Sequence, residues 1–268
     1  MKYEELLIDK KDKILTIKFN RPEQLNAATL RLTEELTQAL VAVDQDEEIR
    51  VVIITGVGRS FCVGMDIREA LNSMKTDRPM LSSLEDMIPR QMSVPWTPLI
   101  IRDLSKPVIA VINGPAVGAG FTIALACDIR IASEKAQMGA VFAPVGLIPE
   151  FGSTYNLPRL VGIAKACELV FTGNIIDAKE AMEIGLVNHV VAGDQLEDFT
   201  YKMATRIAQW PSFAIKIAKR GLYQGLDSTL VNQLQFEALG LGICAKSKDF
   251  EEALVSFLEK RKPVFRDR

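Results

Sequence analysis

The chain has 268 residues, of which 48% are hydrophobic, and its formal net charge at pH 7 is −2. That length and apolar content are sufficient for one large domain with an extensive core. The charge lacks the basic excess of nucleic-acid-binding proteins, so we expect no nucleic-acid partner. No uninterrupted apolar stretch reaches membrane-spanning length, so we expect no membrane partner either.

Cysteine usage and the chain ends bear on location. The four cysteines show no CxxC spacing, which favours reduced thiols and no metal site: Cys62, Cys127, Cys167 and Cys244. The first 13 residues are charged and contain no apolar signal core, and the last three are not a peroxisomal SKL-type tail. These features predict a cytoplasmic protein.

The first half of the chain alternates strand and helix patterns. Glu4 to Ile8 and Ile14 to Phe19 predict two strands, with Lys10 to Lys13 as the turn between them. Thr29 to Val43 carries apolar residues at helical spacing, and Arg50 to Thr55 predicts the next strand. The alternation continues downstream and predicts an α/β layered sheet.

Two junctions share a strand–turn–helix pattern. The apolar strand that ends at Gly56 is followed by a glycine-containing turn and a helix that begins near Ile67. The strand Val108 to Ile112 is followed by a glycine- and alanine-rich turn and a second, buried helix. Free N–H groups at such helix starts attract negative charge, and two of them aimed at one oxygen form an oxyanion hole. Glycines that merely allow close helix–sheet packing are the alternative.

Both junctions resemble a known family. Residues 61–67, FCVGMDI, are similar to the FxxGxDI segment of the enoyl-CoA hydratase/isomerase (crotonase) superfamily, and residues 113–120, NGPAVGAG, to its NGxAxGxG segment. The likeness runs in order from Ile14 to Val187. It implies an α/β fold: a crotonase-like spiral of ββα units over residues 1–195 and a C-terminal helical region over 196–268. In this family such helices build homotrimers, often paired as dimers of trimers.

Helical patterns dominate the chain after Gly152. The predicted helices are Ser153–Leu160, Ala164–Thr172, Ala178–Ile184, Asp194–Gln209, Ser212–Gly225 and Ser228–Ser256. The segment from Ala70 to Leu104 is less regular and rich in methionine and proline. Two interpretations of that segment stay open: the lining of an acyl pocket, or an ordinary surface segment.

The resemblance also implies a substrate and a site. The substrate is an acyl-CoA thioester whose enolate is stabilised by the backbone N–H groups of Met65 and Ala119, and no cofactor is expected beyond the coenzyme A of the substrate. The remaining residues implied to bind substrate are Gly64, Asp66, Ile67, Gly118, Gly120, Thr122 and Phe142. Asp66 is expected mainly to support its loop.

The acid/base positions distinguish the possible reactions. Hydratases of the family use two glutamates, and the corresponding positions here are Thr122 and Phe142, neither of which is a base. Glu150 resembles the single acidic residue with which some enoyl-CoA isomerases move a double bond. A structural alternative exists, because a glutamate after Pro149 also suits the first turn of an ordinary helix.

We therefore predict an acyl-CoA double-bond isomerase with Glu150 as the base. Hydration or another enolate reaction on a CoA thioester is the alternative within the family. A crotonase-fold scaffold that holds acyl-CoA without converting it is the alternative from another class. His189, the only histidine, has no partner pattern of a catalytic triad. The basic residues 260–262 suit either contacts with CoA phosphates or a solvated tail.

Overall fold

The structure is a computed structural model, and it describes residues 3–75 and 97–266. Its strands are β1 Leu6–Lys11, β2 Ile14–Phe19, β3 Val51–Gly56, β4 Val108–Ile112, β5 Ala116–Val117, β6 Ile129–Ser133, β7 Gln137–Gly139, β8 Ile175–Asp177 and β9 His189–Val191. Its helices are α1 Leu30–Asp44, α2 Ile67–Ser73, α3 Thr97–Asp103, α4 Ala119–Ala126, α5 Ser153–Thr172, α6 Ala178–Glu183, α7 Leu196–Ala208, α8 Ser212–Gly225, α9 Leu230–Cys244 and α10 Lys248–Leu258.

The main sheet has the strand order β1-β2-β3-β4-β6-β9. Only the β1–β2 pair is antiparallel; the other pairs are parallel, with Ile17 opposite Ile54 and Ile54 opposite Ala110. Both faces of the central strands β3 and β4 are buried, as is typical of parallel strands with β-branched residues at successive positions. Side chains such as Val52 and Ile54 face α1, whereas Val51 and Ile53 face the opposite side.

Helices cover the two faces of this sheet. Helix α1 begins at Thr29, whose hydroxyl accepts a hydrogen bond from the backbone N–H of Leu32, and it buries Leu36 and Leu40 in the larger core. Helix α7 buries Leu196 and Ala204 against the other face. The mixed α/β prediction is therefore confirmed, and the chain just after residue 195 packs directly on the sheet.

Two element predictions were wrong in detail. The first strand continues to Lys11, because Asp12 and Lys13 both have positive φ and form a two-residue hairpin turn. The single long helix predicted over 228–256 is two helices, α9 and α10. Ser247 separates the two helices, because its side chain accepts a hydrogen bond from the backbone N–H of Phe250 and caps the start of α10.

Other helix predictions were confirmed. Helix α5 contains both of its predicted pieces, separated at Gly162, which has a non-helical φ of 77°. Helix α8 has the predicted bounds. It is anchored to the body by Lys219, whose Nζ donates to Asp128 Oδ2 at 2.7 Å and to the carbonyl oxygen of Ile101 at 2.7 Å.

A second, three-stranded sheet of order β5-β7-β8 was not predicted. Much of the methionine-rich segment, including Met80, Met87, Met92 and Trp96, lies outside the described residues. Its pocket-lining interpretation therefore stays a prediction. None of the helices in the described parts of the chain is long and apolar enough to cross a bilayer.

Candidate active site

The first turn runs from the end of β3 to the start of α2. The Asn26 side chain, fully buried, holds this turn by donating from Nδ2 to the carbonyl oxygens of Val57 and Ser60, both at 2.9 Å. From the next strand, Asn113 Nδ2 donates to the carbonyl oxygens of Gly56 at 3.0 Å and Gly58 at 2.9 Å. Neither asparagine was assigned a role from the sequence. A buried amide is a signal for such backbone bridging, because it requires several partners.

Met65 lies near the end of this turn. It forms a parallel bridge with Ala28, in which the Ala28 N–H donates to the carbonyl oxygen of Gly64 at 2.7 Å and the Asp66 N–H donates to the carbonyl oxygen of Ala28 at 2.8 Å. In this pattern the N–H of Met65 itself points away from residue 28. Gly64 has a φ of 99°, which favours glycine.

The second turn connects β4 to α4 through the short strand β5. Gly118 has a φ of 54°, and its N–H donates to the carbonyl oxygen of Gly139 in β7 at 3.0 Å. The unpredicted second sheet therefore positions this turn. Ala119 is the first residue of α4, so its N–H has no acceptor within the helix.

The two turns lie against each other. Cys62 and Ala116 form a parallel bridge, and a Cβ atom built on Gly64 would lie 3.3 Å from the carbonyl oxygen of Val117 and 3.9 Å from the nitrogen of Ala119. Within residues 3–75 and 97–266, the N–H groups of Met65 and Ala119 have no hydrogen-bond acceptor. Two adjacent, unsatisfied amides, one in the turn before α2 and one at the start of α4, form a suitable site for developing negative charge.

The side chain of Glu150 contacts α4, the helix that begins at Ala119. Its Oε1 accepts a hydrogen bond of 3.2 Å from the hydroxyl of Thr122, a fully buried residue in the first turn of α4. Both residues were predicted to belong to the site, but their contact was not predicted from the sequence. Phe142 is also buried, directly before the one-turn 3-10 helix of residues 143–145.

The environment of Glu150 raises the pKa of its carboxyl. Desolvation is the principal cause, and the Thr122 hydrogen bond opposes it. The residue nevertheless keeps exposed surface. Glu150 is therefore surrounded by protein on most sides and open to solvent on one side.

The turn that follows Glu150 is unusual. Phe151 and Gly152 both have positive φ, 57° and 70°, and the Phe151 side chain is buried. A left-handed conformation is unfavourable by about 1–2 kcal/mol for an ordinary residue, so packing must hold Phe151 in place. Gly152 is the residue before α5, and the Ser153 hydroxyl donates to the carbonyl oxygen of Glu150 at 2.7 Å. Ser153 is therefore the first residue of the helix, and its side chain does not cap the helix.

Asp66 supports its loop, as expected. Its side chain accepts hydrogen bonds from the N–H groups of Arg68 and Glu69 at the start of α2 and pairs with Arg21 at 2.9 Å. Ile67 follows at the surface with 66% of its area exposed. His189 begins β9, where its ring packs on Phe199 with the ring centres 5.1 Å apart, away from the residues described above.

The C-terminal segment forms two cavities outside the Glu150 region. One of about 400 Å³ is lined by Lys248, Asp249, Glu252, Arg261, Val264 and Arg266. The other, of about 630 Å³, is lined by residues of the β1–β2 hairpin together with Glu47, Glu48, Arg50, Phe265 and Arg266. Arg261 pairs with Glu252 and with Glu259, so its guanidinium is occupied by carboxylates rather than free for a phosphate.

Comparison with solved structures identifies the class of this fold. The crystal structure of an enoyl-CoA hydratase from Bacillus anthracis superposes with a TM-score of 0.90 at 35% identity, covering 99% of this chain and 100% of that one. The fold is therefore that of crotonase-type enzymes.

Sequence comparison gives the family itself. The family model described as enoyl-CoA hydratase/isomerase matches residues 9–268, and the chain belongs to this family. The crotonyl-CoA hydratase of Syntrophomonas wolfei is 35% identical over 266 residues, which are 99% of each chain. The 1,2-epoxyphenylacetyl-CoA isomerase of Escherichia coli is 35% identical over 254 residues, 94% of each chain.

Proposed function

We propose that the protein is an acyl-CoA double-bond isomerase that converts a 3-enoyl-CoA to a 2-enoyl-CoA through a thioester enolate. The observation that carries the proposal is the single carboxylate of Glu150, held by Thr122 beside the start of α4. Such a shift needs one base that removes a proton from C2 and returns it to C4. No water is added and no redox change occurs, so the reaction requires no cofactor beyond the coenzyme A of the substrate.

The proposed oxyanion hole consists of the N–H groups of Met65 and Ala119. Polarising the thioester carbonyl acidifies the α-carbon, and the two amides hold the negative charge that develops on the oxygen. Loss of one such donor raises the barrier in other enzymes by about 3–4 kcal/mol. The adjacent turns and the free amides of these two residues support the assignment. Gly64, Gly118 and Gly120 allow the backbones to approach.

Glu150 suits the proposed role of base. Desolvation raises the pKa of its carboxyl toward neutral pH, and a general base transfers protons most effectively when its pKa is near the working pH. The Thr122 hydrogen bond opposes this rise, because it favours the ionised carboxylate.

Hydration is the second candidate function, favoured by the hydratase name of the Syntrophomonas wolfei relative. The side chains at the two hydratase glutamate positions argue against it. Thr122 is buried and already hydrogen-bonded to Glu150, and Phe142 has no polar group to orient a water. The isomerase name of the Escherichia coli relative agrees with a single-base reaction, although its substrate is a ring epoxide rather than a chain.

The test mixes the purified protein with a trans-3-enoyl-CoA and follows the conjugated 2-enoyl thioester by absorbance, with product masses recorded in parallel. We expect conjugation with the wild type and a loss of at least about 100-fold for Glu150→Gln. Glu134→Gln, a matched change of an exposed carboxylate in the β6–β7 turn, keeps full activity.

Other outcomes separate the alternatives. A product heavier by one water that disappears with Glu150→Gln identifies a hydratase. Binding of the CoA ester without any turnover, unchanged by Glu150→Gln, identifies the scaffold and overturns the proposal.

We also propose that the protein acts as a homotrimer or a dimer of trimers. Helices α9 and α10 carry many exposed apolar side chains: Leu230, Val231, Leu234, Leu239, Leu241, Ile243, Leu254, Phe257 and Leu258. So many exposed large apolar side chains on two consecutive helices indicate an interaction site. Light scattering of the purified protein measures the assembly, and a monomer at micromolar concentration contradicts the proposal. The cytoplasmic location stays a prediction.

A further inference from the structure

The hydroxyl of Thr122 lies between two acceptors. It is 3.2 Å from Glu150 Oε1 and 3.0 Å from the carbonyl oxygen of Ala119 in its own helix. A threonine hydroxyl carries one proton, so it donates fully to only one of them at a time. Both distances are at or beyond the long end of the usual range for O–H···O bonds, which fits a proton shared between two acceptors.

This shared contact joins the two halves of the site. Ala119, the first residue of α4, carries one of the two free amides, and Glu150 carries the carboxylate. Thr122 itself is fully buried, and its β-branched side chain has few rotamers within a helix. No other polar side chain from the described residues hydrogen-bonds the Glu150 carboxylate.

We propose that Thr122 is a positioning residue, which binds one oxygen of the Glu150 carboxylate and fixes it relative to the Ala119 amide. The inference rests on the proposed function and deepens it. With Oε1 held by Thr122, Oε2 is left to take the proton from C2 while the electron pair of that C–H bond enters the enolate. The same oxygen then returns the proton to C4. When Glu150 is neutral, Oε1 is a weaker acceptor and the hydroxyl proton turns to the Ala119 carbonyl.

The other titratable groups of the described residues near Glu150 are either neutral or paired with another residue. Apart from burial, the Thr122 hydrogen bond is therefore the main influence on the charge of Glu150. Cys62, on the adjoining turn, has a pKa of about 12, raised principally by burial and also by Glu150, so it stays neutral. Helix α4 has no titratable side chain. On α5 and α3, Tyr155 and Arg102 both hydrogen-bond Asp227.

The test compares Thr122→Val, which keeps the shape and removes the hydroxyl, with Thr122→Ser, which keeps the hydroxyl. We expect Thr122→Val to lower kcat by about 10- to 100-fold, the effect of losing a hydrogen bond to a charged group, and to leave KM nearly unchanged. The acidic limb of the kcat/KM profile moves to higher pH, because the lost bond favoured the ionised carboxylate. Thr122→Ser restores the wild-type profile. A purely structural defect scales activity at every pH and leaves the limb in place.

A second measurement is independent of turnover. The carboxyl carbon of Glu150, labelled with ¹³C and assigned with Glu150→Gln, is titrated by NMR in the wild type and the two Thr122 variants. If Thr122→Val does not fold, Thr122→Ala serves in its place. An unchanged titration without the hydroxyl overturns the role of Thr122. A shifted titration in a protein that fails to isomerise any 3-enoyl-CoA overturns the proposed function and leaves the contact between the two residues established.

Discussion

A Cβ atom on Gly120 would lie 2.0 Å from the carbonyl oxygen of Cys62. Helix α4 therefore passes the first turn at a distance that only glycine permits, since the obstacle is backbone and not a movable side chain. This contact sets the separation of the two turns that carry the Met65 and Ala119 amides.

Gly120→Ala should accordingly damage stability and activity together. Relief of the clash moves backbone, so we expect a loss of about 1–3 kcal/mol in the free energy of unfolding and a fall in activity of about 100-fold. Gly242→Ala in α9 is the matched control, because a Cβ there meets nothing within 4 Å; it should stabilise the helix by about 0.5–1 kcal/mol. Denaturant unfolding and the isomerase assay measure both effects. A Gly120→Ala variant that is as stable and as active as Gly242→Ala would contradict the role of Gly120 in the close approach of α4 to the first turn.

Glu150 is predicted to lower stability at neutral pH. Because its folded pKa lies above the unfolded value, the folded state binds more protons in the interval between them, and stability falls as pH rises through that interval. Glu150→Gln should therefore have a higher Tm than the wild type at pH 7. This difference in Tm should vanish at pH values below the ordinary pKa of a glutamate side chain.

Glu252 provides the opposite control for this pH effect. Its pairing with Arg261 lowers its pKa to about 2, so its contribution to stability is present at neutral pH and disappears as pH falls through the folded value. Glu252→Gln should lower the Tm at pH 7 and lose this effect in strong acid. Calorimetry of both variants from pH 3 to about pH 8 measures the change in Tm relative to the wild type. A change of the same sign for Glu150→Gln and Glu252→Gln at pH 7 contradicts the opposite pKa shifts of the two carboxyl groups.

The sequence predicted the main strands and the two junctions because buried strands such as Val108–Ile112 carry a clear apolar pattern. It did not predict β5 or β7, since two or three residues show no periodicity, yet β7 holds Gly118 through the Gly139 carbonyl. The Thr122–Glu150 contact spans 28 positions and depends on how α4 packs on α5, which local patterns do not encode. Residue types thus indicated the candidate site, and tertiary packing determined its hydrogen bonds.

The buried ion pair between Lys219 and Asp128 should matter more than any surface pair. Lys219 is 7% exposed, and its ammonium also donates to the carbonyl oxygens of Ile101 and Lys106. Lys219→Met leaves the Asp128 carboxylate, 14% exposed, with Tyr223 as its remaining side-chain partner, so we expect the free energy of unfolding to fall by about 3–5 kcal/mol.

The control for Lys219→Met is Lys202→Met, which breaks an exposed pair with Asp198 and should change the free energy of unfolding by at most about 1 kcal/mol. Urea unfolding of both variants measures the difference. The double variant Lys219→Met with Asp128→Asn should recover part of the loss, because no unpaired charge then remains. A Lys219→Met variant as stable as Lys202→Met contradicts the argument.

The apolar surface of α9 gives the last prediction. Leu241 is 72% exposed in the single chain, so Leu241→Asp would alter stability by less than about 0.5 kcal/mol if the residue faced solvent. In the proposed trimer the new carboxylate is buried at an interface, where an unpaired charge is strongly unfavourable. We therefore expect light scattering to show smaller assemblies for Leu241→Asp at micromolar concentration. Leu30→Asp, a matched change at the exposed start of α1, should keep the wild-type mass. A Leu241→Asp variant with unchanged mass removes α9 from the interface.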